Sequence, residues 1–215
     1  IAGGTLRMFQ LDASEMGRVT DVMAASFNKS ALDMEKFTNS MTYVGPIAKN
    51  TGISLESTTA VLGTLANNMI DGSIAGTAVR QIFLQMGNES SKLAKKLGYA
   101  VKSDEDLTRA LKDLRDMGLS TAEMEDLVGK RAIAAFSIML DQVPKVEELD
   151  GALEKAIGLT QSEKVACPIG VTSSALEVLN AFPSPSGSSA LNIASVGLQL
   201  ELSYLAMVEE LYHTL

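Results

Sequence analysis

Tryptophan is absent from this 215-residue chain, and cysteine and histidine occur once each. A single thiol, Cys167, forms no internal disulfide, so no disulfide framework holds the fold. It reads as a small buried apolar residue. One histidine, His213 near the C-terminal end, excludes any zinc site built on several histidines, and no HExxH occurs. No third group spaced for a Cys–His catalytic pair is evident, and His213 reads as a solvated residue near a frayed end. Aromatics make up only 5% of the residues and there are 5 prolines. The core must therefore come from Leu, Ile, Val, Ala and Met, with 11 Met as pliable gap-fillers.

Long apolar runs are missing too. No stretch of 18 or more apolar residues is present, so no transmembrane helix is expected. No basic segment leads into an apolar run at the start, so no signal peptide is expected, and opening on Ile1 mid-element reads as a piece of something longer. Lys and Arg are dispersed and the net charge is −8, which leaves no basic patch for a nucleic-acid backbone. The acidic excess reads as solvated surface.

What is present is helical periodicity in a chain that is 46% hydrophobic, enough to bury a sizeable core. Val79, Ile82, Phe83 and Met86 fall on one helix face. So do Val61, Leu62, Leu65 and Met69, then Leu107, Leu111 and Leu114, then Val146, Leu149, Leu153 and Ile157. Start signals agree. Ser120 and Glu123 form a capping box, Ser54 precedes Leu55-Glu56, Ser103 precedes three acids, and Ser30 precedes Ala31-Leu32-Asp33. Gly52, Gly118 and Gly158 supply stops. These signals predict helices over 14–27, 31–50, 55–69, 75–87, 90–97, 104–117, 121–142 and 145–157. Gly129 is placed to divide 121–142, and Pro46 to kink its helix or end it early. Tyr99–Lys102 is a weak extended segment. Beyond 158, residues 172–182 read as one more helix, and Leu191–Tyr212 as a final helix that is apolar around much of its circumference.

Candidate sites dissolve under the same reading. Gly72–Thr77 looks like a phosphate loop but lacks the lysine and the preceding strand. It reads instead as an Asp71-Gly72 turn, a Ser73 cap, and small residues Gly76 and Ala78 for close packing. The acids of Ser103–Asp106, and Glu147, Glu148 and Asp150, read as acidic helix starts, without the pattern of an EF-hand loop or a glycosidase pair. Arg80 and Arg131 read as buried or half-buried packing arginines bonding helix-end carbonyls. No catalytic, cofactor-binding or metal-binding residue is assigned.

One stretch carries more than periodicity. Val44-Gly-Pro-Ile-Ala-Lys-Asn-Thr-Gly-Ile-Ser-Leu-Glu56 runs on through Leu62-Gly-Thr-Leu-Ala-Asn67-Asn68 to Gly72-Ser-Ile-Ala-Gly76-Thr-Ala-Val-Arg80. It resembles the conserved core region of phage tail tape-measure proteins, with its "GISLE" helix start, "LANN" run and "GSxAGTAxR" turn. Gly129-Lys-Arg131-Ala-Ile-Ala-Ala-Phe136 is similar to a later segment of that family. Gly17–Ala25 and Ser30–Met34 fit its first helices, and the resemblance covers about residues 5–157, with a weaker echo at Ser174–Leu179. Departures are Met69 where the family carries Gly after "LANN", residues 158–171, and residues 183–215, which match nothing in the family.

The fold expected is all-α: a compact, bundle-like domain of about eight to ten short helices. It would span residues 1–182, followed by a Pro/Ser/Gly linker over 183–189 and an apolar helix over 190–215. The resemblance implies a non-enzymatic structural role in phage or prophage tail assembly, tail-length determination and DNA ejection. It implies a place in the virion tail after assembly in the bacterial cytoplasm. It also implies partners among tail-tube, tail-tip and assembly-chaperone proteins, with self-association. No specific nucleic-acid binding is expected. The alternative is a membrane-active or host-side helical adaptor acting through the last helix. As one straight helix the chain would reach only about 320 Å. With so many caps and Gly breaks, it reads as a compact domain of the ruler rather than its shaft.

Overall fold

A computed structural model describes residues 1–157. The expected 172–182 helix, 183–189 linker and 190–215 helix, and with them Gly158, Cys167 and His213, lie outside the described residues. Among those described there are ten α-helices and no strand. They are α1 (Ala2–Phe9), α2 (Met16–Lys29), α3 (Met34–Asn50), α4 (Leu55–Asn67), α5 (Gly72–Gly87), α6 (Lys92–Leu97), α7 (Asp104–Asp116), α8 (Thr121–Val128), α9 (Ile133–Asp141) and α10 (Val143–Ala156).

Local chemistry sets most boundaries. Ser54, Ser91, Ser103 and Ser120 each accept a backbone N–H from the first turn they precede, and Glu123 completes the capping box. Helix α3 ends in a Schellman motif: Ile53 N–H donates to the Ala48 carbonyl and Gly52 N–H to that of Lys49. Gly52 takes φ +75°, and a Cβ there would lie 2.2 Å from the Lys102 carbonyl oxygen. Gly129 interrupts 121–142 as its position suggests, and α9 and α10 are separated only by Gln142.

Four boundaries differ from expectation. Helix α3 begins at Met34, because Asp33 rather than Ser30 accepts the first-turn N–H, at Lys36. Ser30 instead ends α2. Pro46 does not end α3, which runs on to Asn50. Thr42, whose carbonyl loses its usual donor, and Pro46 are both exposed residues. Helix α1 carries no sequence start signal. Gly3 and Gly4 weaken it and Ile1 offers no side-chain cap; burial of Leu6 and Phe9 holds it instead. The segment 99–102 forms no strand, but Val101 is buried and its N–H donates to the Met86 carbonyl at the end of α5.

Helix α4 occupies the middle of the described residues: every position from Leu55 to Ala66 is buried. Helices α2, α3, α5, α9 and α10 pack around it. The predicted stripes face this core, with Val79, Ile82, Phe83 and Met86 on α5, Leu107, Leu111 and Leu114 on α7, and Val146, Leu149 and Leu153 on α10. Met69 and Ile157, the last members of their stripes, lie past the helix ends and are exposed.

Helices α3 and α5 pack closely and run parallel. Gly76 meets Ser40, Gly87 meets Thr51, and the two pairs have the same separation along the chain. A Cβ on Gly76 would sit 2.3 Å from the Ser40 carbonyl oxygen, so only glycine permits this approach.

Candidate functional site

The family-like stretch folds into the end of α3, all of α4 and the start of α5. Its most chemically distinctive part is the first turn of α4. A helix buried on every side must bury whatever polar groups it carries, and those groups then need partners. Glu56 is only 2% exposed. Arg18 of α2 grips it with both arms: Nε donates to Oε1 at 2.6 Å and Nη2 to Oε2 at 2.8 Å. Arg18 Nη1 also donates to Glu15 at 3.2 Å. These two carboxylates hold the Arg18 guanidinium well above its usual range, with the Glu56 hydrogen bond the leading cause and burial opposing it.

Two further elements reach the same turn. Ser54 N–H donates to Asp104 Oδ1 of α7 at 2.9 Å. The Ser57 hydroxyl lies 3.1 Å from both carboxylate oxygens of Asp150 on α10. Desolvation pushes the Asp150 carboxyl up to about 6; Ser57 opposes this, and Glu154, Asp104 and Glu56 add to it. Helices α2, α7 and α10 are thus each fastened by a polar contact to the same turn, Ser54 to Ser57.

The other end of α4 is unlike this. Asn67 Oδ1 accepts the Ala31 N–H at 2.7 Å, tying the α2–α3 connection down. Met69, next in the turn, is 94% exposed and takes φ +61°. A non-glycine residue pays for the left-handed region through Cβ crowding. This is the position where the family resemblance expects Gly, and the backbone shows why.

Sequence-based site readings fare unevenly. Arg80 and Arg131 are both exposed rather than packing arginines. Arg80 falls on the outward face of α5, and Arg131 lies in the connection between α8 and α9. The buried guanidinium is that of Arg18. Ser73 does not cap α5: the helix starts at Gly72 behind Asp71, and Ser73 is already inside its first turn. Glu147, Glu148 and Asp150 are not at a helix start, because α10 begins at Val143. They pair along its length instead, with Lys112, Lys145 and Ser57. Asp104 to Asp106 do occupy the first turn of α7. Among the described residues no group of three or more His, Cys, Asp and Glu side chains is arranged to hold a metal ion, and no helix is long and apolar enough to cross a membrane.

Comparison with known proteins places this arrangement. The family of phage-related minor tail proteins matches residues 1–127, from α1 to the end of α8. The chain belongs to that family. Within the minor tail family, the Arg18–Glu56 pair and the whole of α4 lie inside the matched region. A probable tape measure protein of Escherichia phage P2 is 29% identical over 174 residues, covering 73% of this chain and 21% of that protein. The tape measure protein of Pneumococcus phage Dp-1 is 28% identical over 168 residues, covering 72% of this chain and 15% of its own length. The chain therefore spans about a fifth or less of these relatives. No solved structure matches it.

Proposed function

We propose that this chain is a folded, non-catalytic assembly domain of a tape measure protein, acting in the phage tail to organise tail assembly and length determination, and present when DNA is ejected. Likeness to two tape measure proteins over nearly three quarters of the chain supports the reading. The form of the domain narrows it. A shaft that measures by helical rise needs long uninterrupted helix, about 1.5 Å per residue. The longest helix among the described residues is α3, with 17 residues, and the chain repeatedly folds back on itself. Such a segment turns residues into a docking body rather than length. Its partners in this reading are other tail proteins (tube, tip and assembly chaperones) and further copies of itself, brought together in the host cytoplasm before incorporation into the virion tail.

The test is an in-frame deletion of residues 1–157 in a phage that carries the gene, with tails measured by electron microscopy. The expected result is failed assembly or tails of irregular length. Uniform, functional tails shortened by about 1.5 Å per deleted residue would show a measuring shaft and overturn the proposal.

A further inference from the structure

The polar contacts at the start of α4 are unequal, and the inequality falls on α10. Glu56 has a full bidentate partner in Arg18. Asp104 receives a backbone N–H. Asp150 has two oxygens at 3.1 Å from one hydroxyl, and a serine has a single hydrogen to give. No cation pairs with Asp150 among the described residues.

We infer that α10 is an acid-tightened strap: Asp150 holds α10 to the first turn of α4 more firmly when its carboxyl is protonated than when it is ionised. Protonated, Asp150 can donate to the Ser57 oxygen and presents no charge to its neighbours. Ionised, it faces carboxylates on several sides. Helix α4 brings Glu56, and α7 brings Asp104. One turn along α10 itself lies Glu154. The cations of the surrounding helices are engaged or remote: Arg18 of α2 is held by Glu56 and Glu15, and Lys112 of α7 by Glu147. Helix α2 otherwise carries buried Asp21 and, at its exposed end, Lys29; α9 carries only exposed Asp141.

The sign follows from the raised Asp150 carboxyl. The folded state favours the protonated form, so this contribution is fully present below the ordinary aspartate range, about 3.9. It declines as pH rises through about 6 and is lost at neutral pH. The strap is thus slack where most other carboxylate contacts are intact.

Hydrogen exchange on the full chain, corrected for intrinsic rates, tests this. The shift sets a ceiling of about a hundredfold. Only about tenfold of that lies between pH 5 and pH 8, because the rest is already lost below pH 5. Partial exposure of Asp150 lowers the expectation to about threefold greater protection of α10 amides at pH 5 than at pH 8, relative to α3. Asp150→Asn should remove the difference. A flat α10 profile in the unmodified chain, or a pH dependence that survives Asp150→Asn, overturns the inference. Should that variant not fold, the carboxyl carbon shift of Asp150 in the unmodified chain decides: a midpoint near 6 supports the strap, and one near the ordinary value of about 4 overturns it. None of these readouts depends on the role in the tail.

Discussion

The two ends of α4 are built on opposite plans. At its start, Ser54, Glu56 and Ser57 are closed in by α2, α7 and α10, and the side chains of Arg18, Asp104 and Asp150 all bond to that turn. At its end, the chain turns through an exposed methionine held at positive φ, and the nearby Ile74 is also exposed. One end gathers helices by directional bonds. The other keeps a costly backbone conformation and an apolar side chain that contributes nothing to the core. The directional ties of α4 thus concentrate at its N-terminal side, with the Asn67–Ala31 bond at the other end, and the turn at Met69 is where a substitution should be tolerated.

Breaking the fixed end should have the largest effect. Arg18→Ala would leave Glu56 in the interior without its cation. Removal of one partner of a buried pair costs about 3–5 kcal/mol, and the partial exposure of Arg18 places this case toward the lower bound. The expected outcome of urea denaturation is a midpoint shift matching about 3 kcal/mol with an unchanged slope. Glu56→Gln in the Arg18→Ala background should recover part of that loss, since the remaining buried group is then neutral. A loss under 1 kcal/mol for Arg18→Ala would mean that water reaches Glu56 and the pair is peripheral.

Much of this fold is visible before any coordinates. The caps at Ser54, Ser103 and Ser120, the stops at Gly52 and Gly118 and the apolar stripes are local signals, and each appears where expected save the last members of two stripes, Met69 and Ile157. What stays hidden is non-local. Helix α1 has no cap and two glycines, and only contacts with distant residues hold it. Arg18 and Glu56 are 38 residues apart, and nothing in their spacing links them. A signal for the pair existed nonetheless: α4 is apolar or small around its circumference, so its glutamate had to be buried and needed a cation. Arg80 has apolar neighbours in sequence, but a neighbour one position away on a helix points elsewhere, and Arg131 lies between α8 and α9 rather than on a helix. An expected helix over 145–157 puts Asp150 near its start, whereas α10 begins at Val143 with Pro144 in its first turn.

A milder change sharpens the same end. Ser54 caps α4 by accepting the Ser57 N–H at 3.1 Å, while its own N–H is satisfied by Asp104. Ser54→Ala removes only the first bond, so a loss of about 1 kcal/mol is expected. Calorimetry should show this as a modest drop in Tm, well short of the effect of Arg18→Ala. Equal losses in the two variants would mean that the buried ion pair adds no more than a cap.

The smallest effect, and one of opposite sign, belongs to the loose end. Met69→Gly relieves the Cβ crowding at φ +61°, a strain of about 1–2 kcal/mol for an L-residue. Glycine also enlarges the unfolded ensemble, which offsets about 0.4–1 kcal/mol of that gain. The side chain is almost wholly solvent-exposed, so little packing is lost. The balance is a net stabilisation of roughly 0.5 kcal/mol, readable as a small rise in the urea midpoint. A measured destabilisation beyond about 1 kcal/mol would mean that Met69 makes contacts in the folded protein and that the end of α4 is not free to vary. Gain at this turn beside loss at Arg18 would confirm that α4 is anchored at its start and tolerant at its finish.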